Sequence, residues 1–508
     1  MTDRDPAVGH SPERAFHIVT LGCSKNRVDS DGMDHLLRQR GMTATDRPDD
    51  AKVLVVNTCG FLGAARAESV GVIEELLQGR RDDQILIAAG CMPALGDYRN
   101  AIPAGVDHVL TTREWYKIGQ VVGDLLGEPE TPEVAGCEGM LTTFNRRDAG
   151  PSAYVKIADG CDHNCAFCTI PSIKGRQASK RPLHVLQEIV DLVAGGTKEI
   201  VLVAQDTIRY GADIGMKHGL PQLLEMIVEQ VPNLPWLRML YIYPSPLTLR
   251  MVDVMAEHDP LLPYLDMPIQ HADKTVLRAM NRPSDVDMTR RLIDHARAKM
   301  PDVVMRTTLI VGYPGETDAQ FQTLLDFVEE QEFDHVGVFT YSPEDGTPAA
   351  RLADRVPPEV AEERRNAVME AQQTISFNKN RALVGTTVDV LIEGLGEAED
   401  DTGAVEPIAV GRARRHAPEV DGLVFVPGAL QVGELVKLEV AEAGPYDLWA
   451  LPPGPTLRRA PHRPLATAGR AAQEGRRRRV AATRPRGATR PERRGQGRPV
   501  PMATPAGT

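Results

Sequence analysis

The run GCDHNCAFC sets Cys161, Cys165 and Cys168 in a C-x3-C-x2-C spacing. Three thiolates can hold three irons of a four-iron cluster and leave the fourth iron open. An open iron can chelate the amino and carboxylate groups of S-adenosylmethionine (SAM) and cleave it reductively. Phe167, beside the last cysteine, would shield such a cluster from water. The alternative is a structural zinc with His163 as fourth ligand. His163 lies between two of the cysteines, an awkward place for that role.

A second set is dispersed. Cys23, Cys59 and Cys91 follow the apolar runs FHIVTLG, AKVLVVNT and DQILIAAG. Each run predicts a parallel strand, and the carboxyl ends of such strands share one crevice where ligands bind. Three thiols converging there can hold a second three-cysteine cluster. The alternative is three buried cysteines acting as small hydrophobes. The flanking Gly22, Gly60 and Gly90 favour the ligand role. Cys137 lies in a Pro/Gly/Glu-rich stretch and is expected to be an uninvolved thiol.

Weaker signals fall near later strands. Gly195 and Gly196 precede the run KEIVLV and could lie near the methionine amine of SAM, or simply end a helix. Gln205 and Asp206 follow that run. Gly312, Pro314, Gly315 and Glu316 follow RTTLIV, where adenine could approach the backbone. Arg306 begins that strand and is either a cofactor contact or structural. His271 reads as a structural histidine.

The elements that must position these residues form three blocks. Residues 15–130 alternate apolar strands with amphipathic helices, as βαβ units do. Residues 131–150 read as a linker. Residues 151–380 repeat strand then helix six times, which fits a partial (β/α) barrel. Residues 381–450 carry short alternating strands and predict a small five-stranded β-barrel. Residues 1–14 and 451–508 are expected to be disordered.

Of 508 residues, 42% are hydrophobic and 25% charged, ordinary for a soluble globular protein. No run is apolar and long enough to span a bilayer. No secretory signal is visible and cysteines are few, so a cytoplasmic setting is expected. The net charge of −12 hides an uneven distribution. Residues 1–450 carry −24, and the Arg-rich 451–508 carry +12. That tail is expected to be dispensable for cluster binding and turnover.

With these residues in place, the chain resembles the methylthiotransferases of the radical SAM superfamily. The likeness covers about residues 16–448. It rests on LGCSKNRVDSD, VNTCGFLGAARAES, AAGC, KIADGCDHNCAFCTIPSIKG, LVAQDTIRYGAD, YLDMPIQHAD, RTTLIVGYPGET, FDHVGVFTYSPEDGTPA and RARRHAPEVDGLVFV. GCSKNRVDSD and NTCGF resemble the branch that modifies ribosomal protein S-12. The resemblance implies an α/β fold: an N-terminal methylthiotransferase domain, a central TIM-like radical SAM barrel and a C-terminal TRAM domain. It implies a radical-generating 4Fe-4S cluster on Cys161, Cys165 and Cys168. It implies an auxiliary 4Fe-4S cluster on Cys23, Cys59 and Cys91 that handles the inserted sulfur. The family's reaction adds a methylthio group to the β-carbon of one aspartate, one SAM supplying the methyl group and a second the 5′-deoxyadenosyl radical. An electron donor, a sulfur donor and a monomeric enzyme are expected. Lys174 stands where the resemblance suggests arginine, and the Arg-rich tail has no counterpart.

Two other functions compete: methylthiolation of adenosine in transfer RNA, and a non-catalytic metal-binding scaffold. Residues 381–450 carry a net −8. An RNA-binding barrel should present a basic face, whereas an acidic one suits a basic ribosomal protein.

Overall fold

A computed structural model describes residues 12–129, 144, 146, 149–282, 286–399 and 405–452. Cys137 and residues 453–508 lie outside them.

The first block is a parallel sheet. Its strands are β1 Ala15–Thr20, β2 Thr43–Ala44, β3 Val53–Thr58, β4 Ile85–Gly90 and β5 His108–Thr111, in the order β2-β1-β3-β4-β5. Every position of β3 is buried, as a central parallel strand covered on both faces requires. Helix α1 (Ser24–Gln39) follows β1, and α2 (Gly63–Gly79) follows β3. The carboxyl ends of β1, β3 and β4 are therefore neighbours.

The second block holds β6 Ser152–Lys156, then the short pair β7 Ala158–Asp159 and β8 Ala178–Ser179. It continues with β9 Glu199–Val203, β10 Trp236–Met239, β11 Tyr264–Asp266, β12 Val304–Val311 and β13 His335–Thr340. The parallel strands lie in the order β6-β9-β10 and β11-β12-β13, joined by a bridge from Leu237 to Leu261. Spatial order equals chain order, with no reversal, so this is a partial barrel rather than a doubly wound sheet. β7 and β8 pair antiparallel and frame the loop that carries Cys161, Cys165 and Cys168.

The third block is a closed barrel, β14-β15-β16-β18-β17. Its strands are β14 Thr387–Glu399, β15 Val405–Ala413, β16 Val424–Pro427, β17 Leu435–Ala443 and β18 Leu448–Leu451. The last strand runs one residue past the expected boundary at 450, because Leu448 and Ala450 complete the core.

Two other boundaries differ from expectation. Arg14 already bonds Glu128 at 2.7 Å. Within the expected linker, Phe144 packs in a T-shape on Trp115, and Arg146 pairs with Asp31 and Glu188. Phe144 and Arg146 are thus held against the body by one apolar and two acidic partners.

The blocks form one body. A single apolar cluster runs from Phe16 and Trp115 through Tyr154, Val201 and Tyr264 to Leu391 and Ala417. Beneath the partial barrel, buried Glu199 of β9 binds Arg238 of β10 at 2.8 Å and Arg412 of β15. Burial alone would raise the Glu199 carboxyl, but Arg412 and Arg238 bring it from 4.5 down to about 2. A carboxyl depressed by folding stabilises the fold above its ordinary value and loses that contribution as pH falls through its folded value. Breaking a buried pair on one side costs about 3–5 kcal/mol. Glu199→Gln should therefore be less stable by about that amount at neutral pH, in urea unfolding. The two proteins should converge between pH 4.5 and about 2.

Candidate active site

The dispersed cysteines converge. Gly22 holds φ +90°, and a Cβ there would lie 3.0 Å from Cys59 Sγ. A side chain would strike the neighbouring thiol, so only glycine brings β1 that close. Asn26, in the first turn of α1, ties the set together. Its Nδ2 donates to Leu21 O and Thr58 O, and its Oδ1 accepts from Cys91 Sγ at 3.3 Å. Ser69 of α2 accepts from Cys59 N at 3.1 Å. Burial pushes the Cys91 thiol up to about 12; Lys174 opposes this, while Cys23 and Cys59 add to it. The three thiols thus feel one another, and binding a cation would release their protons.

The second triad lies on the loop between β7 and β8. Cys161 N bonds Gly175 O, and Ala166 N bonds Met280 O. Cys168 Sγ accepts from Ile170 N at 3.5 Å, and Arg282 Nη1 stands 3.7 Å from Cys165 Sγ. Burial pushes Cys161 up to about 11 and Cys168 up to about 12, and neighbouring thiols push both the same way. Phe167 is half-buried, packed against the cluster of Ala166, Val276, Met280, Tyr313 and Ala349. His163 Nε2 is engaged by Asp206 Oδ2 at 2.7 Å, and its ring stacks on Tyr243. Its ring is thus held against Asp206 and Tyr243. Among the described residues, no three His, Cys, Asp or Glu side chains close around a single metal ion; the two cysteine sets are open triads.

The loops that bear the two triads touch. Thr169, next to Cys168, donates to the carbonyl of Phe61, two residues past Cys59, at 3.4 Å. Charge fixes the approach on both sides of the barrel mouth. Buried Lys156 and Lys174 each pair with both Asp29 of α1 and Asp159 of β7. Burial would lower the Lys174 ammonium, but Asp159 and Asp29 outweigh it and hold it well above its ordinary range. Gln205 extends the lattice, donating to Asp159 at 2.7 Å. Past β13, Glu344 pairs with Arg66 of α2 at 2.7 Å. Lysine at 174 thus sits in a complete buried contact set, so the departure from arginine leaves no gap.

Beside the cysteine loop lies a cavity of about 290 Å³ lined by His163, Asp206, Tyr243 and Lys217. Asp206 is buried, and its Oδ1 has no partner among the described residues.

Other expected residues are placed differently. Gly195 and Gly196 end the helix Pro182–Ala194 and enter the amino end of β9, opposite the rim that carries the cysteines. Their role there is a helix stop. Arg306 pairs with Asp266 at 2.8 Å and reaches Asp421 of the small barrel at 3.5 Å, so it is tied down by carboxylates. Gly312 adopts φ +71°, and a Cβ there would lie 2.5 Å from Ala361 Cβ, so both the turn and the packing of the helix Pro358–Arg381 require glycine. Pro314 is buried and Gly315 exposed in the same turn. Glu316 turns inward, accepting from Tyr313 N and from Arg364 at 3.0 Å. His271 is buried, its Nδ1 accepts from Asp273 N, and burial lowers it to about 4. Lys25, Asn26, Asp29, Asp159 and Arg282 emerge only from the structure. The first three lie inside the LGCSKNRVDSD motif, the one signal that could have singled them out.

A model of the radical SAM superfamily matches residues 155–328. A TRAM domain model matches 384–452. A model described only as an uncharacterized protein family matches 15–109. The chain is 46% identical to ribosomal protein uS12 methylthiotransferase RimO of Chloroflexus aurantiacus, covering 85% of this chain and 98% of that one. It is 40% identical to the protein of the same name from Synechococcus sp., covering 86% and 93%. The chain belongs to the RimO family. As a RimO family member it is a radical SAM methylthiotransferase, an enzyme that takes an iron–sulfur cluster and SAM. The fold is also similar to the radical SAM methyltransferase TsrM from Kitasatospora setae, with TM-score 0.50 and 14% identity over 72% of this chain and 90% of that one. No helix among the described residues is long and apolar enough to cross a membrane.

Proposed function

We propose that this chain inserts a methylthio group at the β-carbon of an aspartate in ribosomal protein uS12. One observation carries the proposal: two open three-thiol sets, on strand ends of two sheets, whose loops meet at Thr169 and Phe61. Cys161, Cys165 and Cys168 would hold the cluster that binds SAM, and Cys23, Cys59 and Cys91 a second one. The donor sets fit in kind, since three thiols can hold three irons of a four-iron cluster and leave the fourth iron open. When bound, these groups supply one-electron chemistry that opens an unactivated C–H bond and provides sulfur, which acid–base groups cannot do.

The chain's own residues position and enclose. Asp29, Lys156, Lys174 and Asp159 hold the two sheets in one register, and Gln205 is fixed at their edge. Phe167 keeps the cysteine loop dry on one side. The acidic small barrel, with a net −8 over residues 381–450, suits a basic protein and repels RNA phosphates. The enzyme acts in the cytoplasm as a monomer served by an electron donor and a sulfur donor.

Anaerobic reconstitution should give about eight irons per chain. Stoichiometric zinc with little iron would overturn the cluster assignment. In a binding assay uS12 should associate more tightly than transfer RNA, with affinity falling as salt rises. A clear preference for transfer RNA would overturn the substrate assignment.

A further inference from the structure

Lys25 stands in the first turn of α1, two residues after Cys23. Its side chain is buried, and Nζ lies 3.2 Å from the centroid of the Tyr241 ring. Lys156 and Lys174, the other buried lysines at this interface, each hold two aspartates. Among the described residues, Lys25 has no carboxylate within ion-pair distance. Tyr241 and Cys23 act on it first and Asp266 only after them, and Asp266 is already taken by Arg306 and by Tyr241 N–H at 2.9 Å.

Tyr241 itself is unusual. It is a non-glycine residue at φ 62°, a conformation that persists only where surrounding contacts enforce it. Its N–H is bound by Asp266 and its carbonyl accepts from Thr207 N. Its phenol oxygen lies 3.4 Å from Ser24 Oγ. The barrel thus presents an aromatic face to an ammonium that enters from the N-terminal domain. A lysine ammonium has three donors, and Tyr241 is the side chain that engages this one, so donors remain for an incoming carboxylate.

We propose that Lys25 binds the side-chain carboxylate of the substrate aspartate. The β-carbon of aspartate is bonded directly to that carboxylate. An ammonium two residues from Cys23 would hold the reacting carbon beside the dispersed triad. Asparagine and a nucleobase offer no anionic group to this ammonium, so the contact also selects the substrate class. This inference rests on the protein substrate proposed above.

The test measures calorimetric binding of isolated uS12, and of uS12 with its target aspartate replaced by asparagine, to the reconstituted enzyme. Wild type should prefer the aspartate form by about tenfold or more, the effect of one charge-assisted contact. Lys25→Met should bind both forms alike with unchanged iron content, and Lys25→Arg should keep part of the preference. Equal binding of the two forms by wild type overturns the inference without need of any variant. So does an undiminished preference in Lys25→Met. Modification of transfer RNA with uS12 left untouched would instead defeat the proposed function. Methylthiolated uS12 together with a preference that ignores Lys25 defeats this inference alone.

Discussion

Cys161→Ala is expected to abolish SAM cleavage, with 5′-deoxyadenosine release falling at least about a thousandfold. Iron should drop from about eight to about four per chain. The geometry explains why the loss is so large. Cys161 is one of three thiols on a loop framed by β7 and β8. The motif's other donors are engaged elsewhere: the His163 ring by Asp206 and Tyr243, and Asp162 by Arg176 at 3.2 Å. The fold should survive, since Cys161 lies on a loop and its backbone contact to Gly175 does not use the side chain. Product release quantified by chromatography, beside iron analysis, checks both parts. Undiminished cleavage would remove Cys161 from the cluster.

Cys91→Ala should give the complementary result. SAM cleavage continues, iron again falls to about four per chain, and the methylthio product disappears. Cys91 is buried, and its thiol bonds Asn26 Oδ1. Alanine removes little volume, so the β4 end should keep its shape. The pair of variants separates radical generation from sulfur insertion. A normal yield of methylthiolated product from Cys91→Ala would return the dispersed cysteines to the role of buried small hydrophobes.

Strand-end positions were legible from local pattern. Apolar runs placed Cys23, Cys59 and Cys91 on one edge of a parallel sheet, and the structure brings them together around Gly22 and Asn26. Six strand–helix repeats placed the second triad at a barrel rim. Side-chain direction was not legible. Glu316 lies on the expected turn but points inward to Arg364. Gly195 and Gly196 flank the expected strand, yet at its amino end, because a helix stop and an exposed rim use the same residues. Pairs distant in sequence were also hidden. Asp29 and Lys174 are 145 residues apart, and Arg282 is 117 residues from Cys165. No periodicity encodes such contacts; they follow from how α1 docks on the barrel.

Docking also gives the architecture its chemical sense. The N-terminal sheet is fixed at both sides of the barrel mouth, by Asp29 at β6–β7 and by Arg66 to Glu344 beyond β13. Two cysteine triads borne by separate sheets are held at a common opening. The acidic small barrel is bound at the other end through Arg412 and Asp421.

The most direct measurement is mass spectrometry after reconstituted enzyme, SAM, a reductant and a sulfide source are incubated in parallel with uS12 and with transfer RNA. One methylthio group should appear on a single aspartate of uS12, at its β-carbon, with the RNA unchanged. A methylthio group on the RNA alone, or none on uS12 while SAM is being cleaved, would contradict the account.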